Sequence, residues 1–186
     1  MSRGPARPLL AAKDIPAVIL IARMGIQHGL TAAVIETDPV RNAALRSAAK
    51  ALAYDLASFT WPGWDEPGVA LGPNDLRIGL DAARTNLRLA IELEKGLLPL
   101  SRAHWLLGAH LLSALDTASS LPHFEEAASA AAAADSPAEA LLARGFAALA
   151  SGPEAGLQDV LTRLRALPDG DSFAAQIETA RRVLRL

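Results

Sequence analysis

The sequence contains no cysteine and few aromatic residues, and both shortages limit what the chain can be. Without cysteine, disulfide bonds and thiolate metal sites are excluded. Aromatic residues make up only 4% of the chain although 51% of it is hydrophobic, so its apolar residues are mainly Ala and Leu, which favour helices. Val and Ile are sparse after the N-terminal segment, so we do not expect long β-strands.

The chain also lacks a strong net charge and a long uninterrupted apolar run. Its net charge of −2 gives no electrostatic reason to expect nucleic acid as a partner. The apolar stretch Leu9–Ala12 is broken by Lys13, and Ile15–Ala22 is cut off by Arg23, so neither run reaches membrane-spanning length. We therefore expect a cytoplasmic protein that does not contact a membrane. Its preference for Arg over Lys indicates a bacterial source.

Helix starts and stops are abundant, and they predict an all-α chain of about eight helices. Asp38-Pro39 is a strong start, because the Asp side chain can cap free N–H groups and Pro suits the first helical turn. We expect a first helix from Asp14 that ends at His28-Gly29. The predicted segments are a disordered tail (1–12) and one domain (13–186), made of an N-terminal capping helix (13–36), three helical hairpins (40–95, 101–134, 137–167) and a C-terminal capping helix (171–186).

Within this scheme, Gly96 is expected to end one helix, and Ser101 and Ser120 are expected to cap the next two. Short connections make successive helices antiparallel, so the structural unit is a helical hairpin.

Internal periodicity favours a repeat architecture. Gly108 recurs as Gly145, 37 residues later, and both lie in the middle of a predicted helix. Gly in that position costs about 1 kcal/mol relative to Ala unless another backbone must come close. The second helices of the hairpins repeat at the same interval, with the patterns Ala83-x3-Leu87-x2-Ala90, Ser120-x3-Phe124-x2-Ala127 and Leu157-x3-Leu161-x2-Leu164.

The best copy, Leu107-Gly108-x2-Leu111 followed by Phe124-x2-Ala127, resembles the tetratricopeptide repeat (TPR), although His104 stands where that family usually has Trp. The resemblance covers roughly residues 40–186. It implies antiparallel hairpins stacked as a short right-handed α-solenoid, whose first helices line a concave groove for a protein partner. An ordinary antiparallel helical bundle is the alternative.

We find no catalytic or metal-binding motif in the sequence. His104 and His110 are six residues apart, so they point to different sides of their helix and cannot share a metal. There is no His-Glu-x-x-His motif, no glycine-rich phosphate loop and no nucleophile elbow. We therefore expect no enzyme, no metal site and no cofactor.

The TPR register places one set of side chains on the groove, where one aromatic per helix would suit an extended peptide or a partner helix. For Trp105 and Phe146 the alternative is a place in the core. The predicted groove residues are Lys50, Tyr54, Arg102, Trp105, Ala109, Leu112 and Phe146, and Lys50 and Arg102 are available for a carboxylate.

The loop Trp61–Gly68 is the other candidate, because it holds two of the three Trp residues. Trp61 and Trp64 either pin this connection onto the hairpins or form a lid over the groove. Three functions follow: a non-catalytic adaptor that binds a peptide or partner helix; a small-molecule-binding or enzymatic domain closed by this loop; and a module that forms a homo-oligomer through Ala127–Ala134.

Overall fold

The computed structural model describes residues 13–152 and 154–186, and of residues 154 and 155 only the backbone. The tail expected at 1–12 therefore lies outside the described residues. The prediction of an all-helical chain is confirmed, since the described residues contain eight α-helices and no β-strand. A short 3-10 turn, Pro62–Trp64, follows the second helix. The α-helices are α1 (Ile15–Ile35), α2 (Pro39–Phe59), α3 (Pro73–Glu92), α4 (Leu97–Ser113), α5 (Thr117–Ala133), α6 (Pro137–Ser151), α7 (Glu154–Arg165) and α8 (Gly170–Leu184).

The described residues divide into two compact units, whereas the sequence led us to expect one domain from 13 to 186. Unit 1 holds α1, α2 and α3, and its described residues are 13–60 and 66–94. Unit 2 holds Trp61–Asp65 together with Lys95–Leu186. A segment of five residues in the loop after α2 therefore belongs to a different unit from the helices on either side of it.

In unit 1, α1 packs on α2 and α2 packs on α3. Asp38 caps α2 as expected, because its carboxylate accepts from the N–H groups of Val40 and Arg41. The prediction that His28-Gly29 ends the first helix is wrong. Gly29 instead lies at a close contact between helices, where a Cβ atom would be 3.1 Å from the carbonyl oxygen of Leu45.

Helix α1 contains the apolar run Ile15–Ala22 and continues beyond Arg23 to Ile35, whereas the run Leu9–Ala12 lies outside the described residues. By length and composition alone, this 21-residue helix is apolar enough to cross a membrane, and 28% of its most apolar window is buried. It is the one such helix among the described residues, and core helices of soluble proteins and signal sequences pass the same test.

In unit 2, each helix from α4 to α8 packs on the next, and α6 also contacts α4 and α8. Two expected caps are wrong. Gly96, with a φ of +79°, precedes α4 directly, so Ser101 lies inside that helix and donates a hydrogen bond to the carbonyl of Ala127 at 2.8 Å. Asp116 caps α5, and Ser120 is buried one turn further on.

The two repeated glycines lie at tight contacts, but with side chains and not with a backbone. A Cβ atom on Gly108 would be 2.8 Å from the Phe124 ring, which α5 contributes. A Cβ atom on Gly145 would overlap Ile177 of α8. The spacing of 37 residues therefore marks two positions where a helix must lack a side chain, although different neighbours fill the space.

Candidate functional site

Unit 2 contains a cluster that holds all three tryptophans of the chain. The indole of Trp61 is at its centre, with ring centroids 4.9 Å from Trp64, 5.3 Å from Trp105 and 5.8 Å from Phe146. Most of these pairs have the edge-to-face or tilted geometry that aromatic rings favour. We call these four residues, together with Phe124 beside Phe146, the aromatic cluster.

Trp61 is the anchored member of the aromatic cluster. It is 1% exposed, and its Nε1 donates to the Ala109 carbonyl at 3.1 Å and to Ser113 Oγ at 3.0 Å. Ser113 Oγ donates in turn to the same carbonyl at 2.8 Å. The indole thus fills an apolar space and has its polar atom satisfied by α4, so it holds the loop on unit 2.

The rest of the segment Trp61–Asp65 is built around that indole. Gly63 lies directly against the Trp61 ring, where a Cβ atom would overlap it. Asp65 has a φ of +50° and pairs with Arg182 of α8 at 2.9 Å. The segment is therefore tied to α4 at one end and to α8 at the other, while the remainder of the predicted loop, residues 66–68, belongs to unit 1.

Trp64 and Trp105 differ sharply in exposure although their ring centroids are 6.1 Å apart. Trp64 is 40% exposed, whereas Trp105 is 8% exposed and its Nε1 has no hydrogen-bond acceptor among the described residues. A buried indole N–H without an acceptor is uncommon, because the lost hydrogen bond to water costs about 1–3 kcal/mol. The cluster thus presents one accessible indole over a tightly packed interior.

The predicted groove residues of unit 2 are mostly interior. Trp105 and Phe146 belong to the aromatic cluster, and Ala109 and Leu112 of α4 are fully buried. Of this set, Arg102 is exposed. Its guanidinium makes a bidentate ion pair with Glu139 of α6, 37 residues further along the chain, with a shortest distance of 2.6 Å.

Lys50 and Tyr54 belong to unit 1, whereas the other seven candidate residues belong to unit 2. The ammonium of Lys50 donates to Asn86 Oδ1 at 2.9 Å and lies 5.9 Å from the centroid of the Tyr54 ring. Asn86 is fully buried, and its Nδ2 has no partner within the described part of the chain. This lysine therefore links α2 to α3 across a buried amide.

The sequence analysis missed a histidine pair between α4 and α5. His104 and His123 have their Nδ1 atoms 3.0 Å apart and their ring centroids 5.3 Å apart. The two nitrogens are at hydrogen-bond distance, so one ring can donate its Nδ1 proton to the other, with the tautomers deciding which is the donor. The chain reverses direction at residues 114–116, which places His104 on α4 opposite His123 on α5. Spacing within a single helix does not reveal such a pair.

The surroundings of both imidazoles lower the pKa and so favour the neutral form. Burial lowers the pKa of His104, and the neighbouring His123 lowers it further, while Glu126 opposes these effects. Burial likewise lowers the pKa of His123, and the charge of Glu126 partly opposes this effect. Within residues 13–152 and 154–186, no group of three or more His, Cys, Asp or Glu residues could hold a metal ion.

We expect unit 2 to lose stability in mild acid because of this pair. In the unfolded chain both histidines titrate near 6.5, and in the folded chain they titrate lower, so the neutral pair stabilises the fold above pH 6.5 and that contribution is lost as the pH falls below it. Urea unfolding at pH 7.5 and 5.5 measures the difference. His123→Gln should reduce the loss, and an equal loss in the variant and the parent protein would contradict the assignment.

Comparisons with family models, with curated proteins and with solved structures gave no match to this chain. The function must therefore be argued from the site itself.

Proposed function

We propose that the chain is a non-catalytic adaptor, in which unit 2 is a short TPR-like stack of helical hairpins that binds a peptide segment or a partner helix. Three features support the stack. Successive helices pack in chain order, α6 also contacts α4 and α8, and the Arg102–Glu139 ion pair joins equivalent positions of two hairpins. In such a stack α4 and α6 are the first helices of their hairpins, and the capping helix α8 takes the equivalent place after them. We call these three the first helices, and they line the recognition face.

The observation that carries the binding proposal is the half-exposed indole of Trp64. The segment Trp61–Asp65 contacts all three of the first helices, through Ala109 of α4, Phe146 of α6 and Arg182 of α8. Trp64 is thus an aromatic group on an anchored segment, and the next residue, Asp65, pairs with the exposed Arg182. Arg102 is a second exposed arginine of the same unit. Tryptophan and arginine over a well-packed base are the residues that dominate binding energy at protein interfaces.

The two alternative functions have less support. A small-molecule or enzymatic site closed by the loop requires an enclosed pocket beneath Trp61 and Trp64, and the rings of Trp105 and Phe146 occupy that space. Self-association through Ala127–Ala134 requires that face to be accessible, and Ala127 and Ala131 are fully buried within unit 2.

Trp64→Ala should weaken partner binding while helical content stays the same. Because Trp105 is buried, its replacement would disturb the core, so Trp64 is the cleaner probe. Peptides selected from a random display library on the full-length protein should bind the variant at least about tenfold more weakly by fluorescence anisotropy, in line with a hot-spot tryptophan.

Leu115→Ala is the matched control, since Leu115 is a 73% exposed apolar residue in the loop between α4 and α5. It should leave the affinity unchanged. If selection yields no peptide, or if the selected peptides bind the Trp64 variant as tightly as the parent protein, the recognition face is elsewhere and the proposal fails.

A further inference from the structure

Helix α1 exposes an apolar face on the side away from α2. Glycine and alanine positions such as Gly29 and Ala33 pack inward on unit 1. On the opposite side, five large apolar residues are 41% to 85% exposed and fall within roughly 140° of the helix circumference. Single exposed apolar residues need no explanation, but a face of this extent marks an interaction site. The five are Leu20, Ile21, Met24, Val34 and Ile35.

The order of residues along this face is nearly symmetric. Three polar residues occupy its middle, and one pair of them is joined by a hydrogen bond of 3.0 Å from Gln27 Nε2 to Thr31 Oγ1. They separate an N-terminal apolar group (Leu20, Ile21 and Met24) from a C-terminal apolar group (Val34 and Ile35), and the polar residues are Gln27, His28 and Thr31.

We infer that this face binds the same face of a second copy of the chain, as an antiparallel pair about a twofold axis near Gln27 and His28. A twofold interface requires a surface that is complementary to itself. In this arrangement the N-terminal apolar group of one copy covers the C-terminal apolar group of the other, and the polar residues meet at the axis. Leu20 and Ile35 are each about 11 Å from that axis along the helix, so they face one another across the interface.

Charge favours the antiparallel over the parallel arrangement. Arg23 is an exposed charged residue at the edge of this face. A parallel pair would set the two Arg23 side chains at the same level, where like charges repel. The antiparallel pair separates them by about 14 Å along the axis, beyond the screening length of about 8–10 Å in physiological salt.

The polar residues in the middle of the face also favour a protein, and not a lipid surface, as the binding partner of α1. Although α1 is long and apolar enough to cross a membrane, a spanning helix would place Gln27, His28 and Thr31 near the centre of the hydrocarbon layer, where polar side chains are costly. In a dimer the same three residues can satisfy each other across the axis.

Sedimentation equilibrium of the full-length chain from 1 to 100 μM, a range of about two decades around a micromolar Kd, tests the pairing. We expect a monomer–dimer equilibrium that Leu20→Glu weakens at least tenfold and that the matched control Leu115→Glu leaves unchanged. A monomer at every concentration overturns the inference. So does a monomer that cosediments with phosphatidylcholine–phosphatidylglycerol vesicles and loses this binding in Leu20→Glu, which would assign the face to lipid.

Because the chain has no cysteine, single cysteines can report the orientation. Under mild oxidation, His28→Cys should form a disulfide-linked dimer with itself, since it lies near the axis. Leu20→Cys should not crosslink with itself, yet it should do so when mixed with Ile35→Cys. Self-crosslinking of Leu20→Cys without the mixed product would overturn the antiparallel arrangement.

Discussion

Replacing Trp61 with alanine should lower the free energy of unfolding by about 3–5 kcal/mol, the usual cost of deleting a large buried aromatic side chain. Trp61 is 1% exposed, contacts three other rings of the aromatic cluster and donates two hydrogen bonds to α4. The alanine variant loses all of these contacts and leaves a cavity between α4 and α6. Urea unfolding followed by circular dichroism at 222 nm measures the effect.

Trp64→Ala is the internal comparison for this experiment. Trp64 belongs to the same turn but is 40% exposed, so its removal should cost only about 1 kcal/mol, mainly for the lost contact with Trp61. Trp61→Phe, which keeps an aromatic ring but loses the N–H donor, should fall between the two. If Trp61→Ala costs no more than Trp64→Ala, Trp61 does not anchor the segment.

Replacing Gly108 with alanine should destabilise unit 2 by about 1–3 kcal/mol, although alanine is the better helix former by about 1 kcal/mol. The new methyl group would lie 2.8 Å from the ring of Phe124, which is fully buried, so the ring can yield only by disturbing its neighbours. The overlap therefore outweighs the gain in helix propensity. Denaturant unfolding of the two proteins gives the sign directly.

Gly156 provides the matched control, because no atom of the described residues lies within 4 Å of a Cβ atom placed there. Gly156→Ala should stabilise the protein by up to about 1 kcal/mol through helix propensity alone. Combining Gly108→Ala with Phe124→Leu should recover part of the loss, since the smaller side chain makes room for the methyl group. The steric account is contradicted if Gly108→Ala and Gly156→Ala change the free energy of unfolding in the same direction. It is also contradicted if the effects of Gly108→Ala and Phe124→Leu simply add.

Local chemistry made most helices predictable from the sequence. Asp38 with Pro39 and Ser136 with Pro137 precede helices that begin where these residues indicate. The failures occurred where tertiary contacts change the meaning of a residue. Gly29 does not end a helix because it lets α2 approach, and Ser101 does not cap one because its hydroxyl is used by α5.

The sequence indicated which residues belong to the candidate site but not how they are arranged. Because aromatic residues are scarce, Trp61, Trp64 and Trp105 stood out in the sequence. Helical register could not predict that the Trp61 ring would be buried beneath Trp64. That outcome depends on a turn folding onto helices from a distant part of the chain, and no local pattern encodes it. The pairing of His104 with His123 was missed for a related reason, since it depends on the register of one hairpin.

The place of Trp61–Asp65 within unit 2 affects how the protein folds during synthesis. The carbonyl that receives the Trp61 N–H belongs to Ala109, 48 residues later in the chain. At about 5–20 residues per second, a ribosome needs roughly 2–10 s to make that partner, and Phe146 follows later still. During this interval two indoles are without their neighbours, so the nascent chain passes through a stage that is open to chaperone binding before α4 and α6 emerge.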